Sequence, residues 1–159
     1  MLKILGICIL LFTIFRISSA ACEKERSRIT LLSEMSRFIH NVRHTLAVSM
    51  KPMREICRAY KTDEPYFASL LADDFKTLSS SSAVSELSGR CGSGAAEVFV
   101  SFVSGFGRGY LSEELLRCDS ALKEFDGIYE VERTAVQRKL RVCRTLGVAS
   151  SFALVILFI

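Results

Sequence analysis

The chain has no tryptophan, only two prolines and only two histidines in 159 residues. With so few prolines, helices can be interrupted by ring chemistry only at Pro52 and Pro65. The two histidines, His40 and His44 in "HNVRH", stand four apart on one helix face, a spacing able to hold a metal. No carboxylate–histidine protease pattern accompanies them, and no two cysteines stand two to four residues apart, so they read as partly exposed side chains of a bundle helix. The nine glycines form no phosphate loop. "GRCGSG" and "GFGRGY" lack the Gly-Lys-Ser/Thr run, follow no predicted strand, and suit left-handed positions between helices. Asp73–Asp74 and Glu113–Glu114 are adjacent carboxylates that point to different sides of a helix, and no nucleophile–base pair is visible. The expectation is a protein that is not an enzyme, with no cofactor, no metal and no small-molecule substrate.

A one-signed charge excess is also missing from the middle. Of the 21 basic residues, Lys3 and Arg16 lie before Cys22, leaving 19 to face all 17 acidic residues. That balance gives no reason to expect a nucleic-acid partner.

Apolar residues are abundant at both ends. Ile4–Ala21 carries one charge, Arg16, and Leu146–Ile159 carries none. A bilayer core about 30 Å thick takes about 20 helical residues. Arg16 and Arg144 can snorkel to the headgroups, and a chain terminus can sit at the far interface. The reading is an N-terminal transmembrane helix over residues 1–21, a helical domain over 22–145 and a short C-terminal transmembrane helix over 146–159. A cleaved secretory signal is the alternative for the first segment, since "ISSAAC" places small residues before Cys22. Cleavage there would leave five cysteines at wide spacings, an odd number that argues for reduced, mostly buried thiols instead. Arg16, Lys24, Arg26 and Arg28 follow the first segment, and Arg133, Arg138, Lys139, Arg141 and Arg144 precede the second. By the positive-inside rule both flanks, and so the middle domain, face the cytoplasm of a multi-pass membrane protein.

The middle reads as all-α, a compact antiparallel helical bundle. Ile29, Leu32, Met35, Ile39, Val42 and Leu46 recur at helical spacing over residues 22–48. A second helix restarts after a Ser49 cap with Pro52 in its first turn, and a third after an Asp63 cap with Pro65 in its first turn. The third points Phe67, Leu70, Leu71, Phe75 and Leu78 inward. "SSSSAVSELSGRCGSG" reads as a loop with a short helix at residues 83–87. "AAEVFVSFVSGFG" is a short apolar helix at the centre. The last helix starts at a Ser112 cap, continues into the membrane, and packs its stripe Leu115, Cys118, Leu122, Phe125 and Tyr129 antiparallel to the first.

Several stretches resemble one family: "MLKILG", the long first helix leading to Pro52 and Glu55, "FGRGYLSE" at residues 106–113, and above all the closing "RTLGVASSFALVILFI". The chain resembles stage III sporulation protein AB of endospore-forming bacteria over nearly its whole length. It departs in Glu113 after Ser112, where the family usually has aspartate, and in Ala149 and Ser150, where small glycines are usual. The resemblance implies a soluble domain similar to the cytoplasmic domain of type II secretion F proteins. It also implies a place in the channel complex between mother cell and forespore, on the mother-cell side, as a platform for the secretion-type ATPase, stage III sporulation protein AA. Other channel-complex proteins and a homo-oligomer fit the same role. Arg108, Glu113 and Glu114, expected as exposed charges at a bundle end, are the partner-binding candidates. A secreted or lipid-anchored helical protein and a membrane sensor or adaptor unrelated to sporulation are the competing readings.

Overall fold

Pro52 and Pro65 do set the local breaks. Pro52 is the N-cap of one short helix, and Pro65 opens the next. The computed structural model describes the backbone of residues 2–158 and the side chains of Thr13, Arg16, residues 23–142 and Thr145. Its elements are α1 (Leu2–Ser49), α2 (Met53–Ala59), α3 (Pro65–Ala72), a 3-10 turn (Lys76–Ser79), α4 (Ser81–Cys91), α5 (Ser93–Gly105) and α6 (Leu111–Phe158). No strand occurs among the described residues. Among those residues no helix is long and apolar enough to cross a membrane. The two expected spans, residues 1–21 and 146–159, lie outside the described side chains apart from Thr13 and Arg16.

The chain divides into two units, Arg28–Val131 and a second made of Met1–Ser27 with Glu132–Ile159. In the second, Lys139 Nζ donates to Glu25 Oε1 at 2.6 Å and Val136 is buried.

The first unit is built on the expected stripes. Leu32, Met35, Ile39, Val42 and Leu46 of α1 are buried, as are Cys118, Leu122 and Phe125 of α6, with Leu115 and Tyr129 half-buried at the edges. α6 runs antiparallel to α5. Gly94 faces Ile128, 3.8 Å from where a Cβ would sit, and Gly105 faces the Arg117 guanidinium, 2.8 Å from its own absent Cβ. α1 runs alongside. Its Arg28 donates to the Cys91 carbonyl at 3.4 Å near the start of α5, and fifteen residues later Arg43 pairs with Asp119 of α6. Phe38 of α1 is the hub of the interior. Its ring meets Tyr60, Phe67 and Phe75 edge-on at centroid distances of 5.2, 5.6 and 5.3 Å. Phe99 of α5 closes the group at 5.5 Å from Phe75. Such pairs add about 0.5–1.5 kcal/mol each beyond burial.

Several helix ends differ from the sequence reading, and Pro52, expected in the first turn of α2, is its N-cap. Ser49 ends α1, its hydroxyl donating to the Thr45 carbonyl, so it does not cap α2. Glu64, not Asp63, caps α3 by accepting from the Phe67 N–H at 2.5 Å. Ser81–Cys91 forms a full helix, because the Ser80 hydroxyl caps it and Leu87 and Cys91, four apart, bury a stripe. Tyr110, not Ser112, is the N-cap of α6. Its carbonyl accepts the Glu114 N–H at 3.0 Å, while its own N–H donates to Glu113 Oε2 at 3.2 Å. That back-bond is the glutamate half of a capping box.

The inward run that starts in α3 and continues past it holds. Phe67, Leu70, Leu71, Phe75 and Leu78 are all buried. α3 itself stops at Ala72 in a Schellman closure, with the Asp74 N–H on the Leu71 carbonyl at 3.1 Å and the Phe75 N–H on the Leu70 carbonyl at 3.0 Å. The left-handed position, usually glycine, is occupied by Asp74 at φ 51° and continued by Phe75 at φ 59°.

Candidate functional site

The turn from α5 to α6 is the segment the sequence singled out. α5 ends at Gly105, Gly107 takes φ 79°, and α6 starts four residues later. A left-handed position there suits glycine, because a Cβ crowds the following carbonyl. The reversal leaves three consecutive N–H groups, those of Gly107, Arg108 and Gly109, aimed at one point. A backbone nest of this kind attracts an anion.

The anion is Glu114. Its Oε1 accepts from all three N–H groups at 3.1, 3.1 and 3.0 Å. Arg117, one turn further along α6, lies over Gly105 with Nη1 3.6 Å from the same oxygen. The glutamate is 5% exposed, so the expectation of an exposed carboxylate at this position is corrected. The physical reason is its register: Glu114 stands four residues before Cys118, on the buried stripe of α6, and is the carboxylate that reaches the nest. Glu114 Oε2 and Arg117 Nη1 are buried without a hydrogen-bond partner among the described residues. Arg108 and Glu113 are exposed, as the sequence suggested. Glu113 has a local task, holding the Tyr110 N–H, while the Arg108 side chain reaches into solvent. The structure thus brings the three candidates into one turn and gives them three different roles.

A second concave feature was not singled out from sequence. A cleft of about 530 Å³ lies between α2 and α3, with Cys57, Arg58, Tyr60, Lys61, Leu71 and Asp74 in its wall. Burial, with the Asp74 charge nearby, pushes the Cys57 thiol up to about 11, which favours the neutral thiol at neutral pH. Tyr60 is pushed up to about 12 by burial and by the Glu34 carboxylate. That buried carboxylate also accepts from Thr62 at 2.9 Å and from Arg37 at 2.5 Å, tying α1 to the segment between α2 and α3. Arg54 donates to Asp74 at 2.9 Å and, chiefly through that bond, holds the aspartate below the usual carboxylate range. The signal for this feature was Asp74 itself, an acid at a helix end where glycine is usual.

Cys57, Cys91 and Cys118 are buried thiols in no disulfide, and Cys118 is pushed up to about 11 by burial and the Glu114 charge. His40 and His44 are exposed, and no group of three or more His, Cys, Asp or Glu residues among the described residues is placed to hold a metal ion.

A family model, stage III sporulation protein AB, matches residues 3–159. The chain belongs to that family, and is a stage III sporulation protein. No curated protein and no solved structure matches it.

Proposed function

We propose that this chain is a non-catalytic membrane platform of the mother cell–forespore channel complex, and that its helical unit docks the cognate secretion-type ATPase, stage III sporulation protein AA. The observation that carries the docking half is the α5–α6 turn. It is fixed from inside by Glu114 and presents Arg108 and Tyr110 to solvent, Tyr110 being 80% exposed. A fixed turn with an arginine and a tyrosine at its tip fits recognition, because those residue types dominate binding hot spots and little entropy is lost on docking. The membrane half rests on sequence: two apolar termini with basic flanks, the flanks facing the cytoplasm. Both termini falling in one unit suits a hairpin of anchors.

Binding of the purified ATPase to the full chain in lipid nanodiscs, followed by calorimetry, tests the reading. Wild type should bind, and Arg108→Glu should weaken binding, more so at low salt, because exposed charges act through screened fields. Absence of any binding by wild type sinks it. Glu114 is left unchanged in this test, since reversing a buried carboxylate would remake the turn rather than remove a docking charge.

A further inference from the structure

We propose that the second unit carries a site for anionic phospholipid headgroups, built on the face of α6 that holds Arg138 and Arg141. The proposal rests on the membrane half of the reading above, which places a bilayer beside that face. Charge is divided unequally between the two units. Residues 28–131 carry twelve basic and fourteen acidic side chains, a small negative excess. Over residues 16–27 and 132–145 eight basic side chains stand against three acidic ones. The positive charge of the chain therefore belongs to the second unit, and a one-signed excess of this kind selects an anion as occupant.

The contact between the two helices keeps these cations available. Lys139 of α6 donates to Glu25 of α1 at 2.6 Å, and the other Glu25 oxygen is buried, so that acid is committed to the contact. At a rise of about 1.5 Å per residue, Lys24, Arg138 and Arg141 lie within about 5 Å of it along their helix axes. All three are exposed, and their side chains have no partner among the described residues. The exposed acid at the same level is Glu23.

Register turns two of the cations into a site. Arg138, Arg141, Val142 and Thr145 are all exposed and recur at i, i+3, i+4 and i+7, one face of α6. Buried Val136 and half-buried Leu140 lie on the opposite side. Two arginines one turn apart present forked donors that match phosphate oxygens, a geometry that lysine lacks. Val142, 56% exposed, is the apolar member of the face, and the uncharged run 146–159 begins four residues after it. On α1, Glu25 likewise stands four residues after the apolar run 4–21. Phosphate donors bordered by apolar residues on both helices fit a headgroup and the acyl chains below it. A free phosphate or a nucleic acid would use only the first half of that arrangement.

The test reconstitutes the full chain in phosphatidylcholine vesicles and adds spin-labelled phosphatidylglycerol or spin-labelled phosphatidylcholine, whose motionally restricted fractions give a relative association constant. Wild type should prefer phosphatidylglycerol about fivefold or more, and less so as salt rises. Arg138→Gln with Arg141→Gln should bring the preference below about twofold with the melting temperature unchanged, since both side chains are exposed. Lys51→Gln with Lys123→Gln, which removes the same charge from the other unit, should leave it intact. Inorganic phosphate should compete no better than chloride at equal ionic strength, and stronger competition would make this a site for a free anion instead. An equal loss in both double variants would reduce the effect to net charge and overturn the site. If the chain resists carbonate extraction but shows no preference, the membrane reading stands, the lipid site is overturned, and the face is left to an acidic protein segment. If carbonate extracts the chain, the membrane reading falls, and flotation with vesicles decides the site. Flotation with phosphatidylglycerol but not phosphatidylcholine vesicles, lost in Arg138→Gln with Arg141→Gln, upholds it, and any other flotation result overturns it.

Discussion

The chain reverses after α3 and again after α5, and the two reversals are secured by opposite means. After α3 the left-handed positions are held by Asp74 and Phe75, neither of them glycine, and the Phe75 ring is driven into the aromatic interior against Phe38, Phe67 and Phe99. After α5 the left-handed position is Gly107, the half-buried Phe106 ring before it meets Phe102 edge-on at 6.1 Å, and a buried carboxylate gathers the freed N–H groups. The first turn tolerates backbone strain because apolar burial outweighs it. The second avoids strain and instead carries a buried charge, which is stable only because the nest surrounds it. A turn that delivers a side chain to the interior has its outer surface left over, whereas a turn closed from within leaves its tip, Arg108 and Tyr110, available to solvent.

The largest effect expected from breaking this contrast is at Phe75. Phe75→Ala removes a buried ring and leaves the left-handed backbone without its compensation, so it should cost about 3–5 kcal/mol in urea unfolding. A loss under about 1 kcal/mol would mean that the turn is secured by its Schellman bonds alone. Glu114→Ala comes next. It releases three N–H groups from a charged acceptor, and hydrogen bonds to charged groups are worth about 1.5–3 kcal/mol, so a loss of about 2–3 kcal/mol is expected. Glu113→Ala, one residue earlier, should cost about 1 kcal/mol or less, because its back-bond is exposed. Equal losses at the two glutamates would remove the distinction between clamp and cap.

The turns also differ in how much of them the sequence disclosed. The apolar stripes of α1 and α6 were legible because burial on a helix recurs every three to four residues, and Ile39, Val42, Cys118 and Leu122 obey that period. The helix Ser81–Cys91 was obscured because its serines resemble a loop, although Leu87 and Cys91 already stood one turn apart. The different fates of Glu113 and Glu114 were not legible from residue type, since the two are identical. Only register separates them: counting back four from Cys118 lands on Glu114. The left-handed Asp74 and Phe75 were hidden for another reason. Propensity assigns such positions to glycine, and here the interior overrules propensity through contacts distant in sequence.

A smaller effect separates the turns by sign. Gly107→Ala puts a Cβ at φ 79° and should cost about 1–2 kcal/mol. Asp74→Gly relieves a similar strain but loses the exposed, solvent-screened Arg54 pair and gains chain entropy in the unfolded state. The net change at Asp74 should stay within about 1 kcal/mol of zero. A loss of 2 kcal/mol or more there would show that the Arg54–Asp74 bond, not Phe75, secures the first reversal.

The smallest effect is read at alkaline pH, because each turn has a buried thiol beside it. Cys57 feels the Asp74 charge and Cys118 the Glu114 charge, and burial is the larger cause in both. Each thiol is raised from 9.0 to about 11 in the folded chain. A raised value means that the fold favours the neutral thiol. The stability this contributes is complete well below pH 9 and is lost as pH climbs through 9 towards about 11. Between pH 8 and pH 9 the loss should be only about 0.4 kcal/mol per thiol, steepening above that. Cys57→Ala and Cys118→Ala, compared with wild type, should each flatten the slope of stability against pH. The same burial means that neither thiol reports membrane sidedness, and an exposed position such as Ser120→Cys is the one to label for that purpose. At pH 8 a thiol reagent should leave both cysteines of the folded wild type unmodified. In Glu114→Ala, where the clamp beside Cys118 is gone, Cys118 should react while Cys57 stays protected. Equal reactivity of the two would mean that opening the second turn opens the first, and that the two reversals are one cooperative structure rather than two separately secured ones.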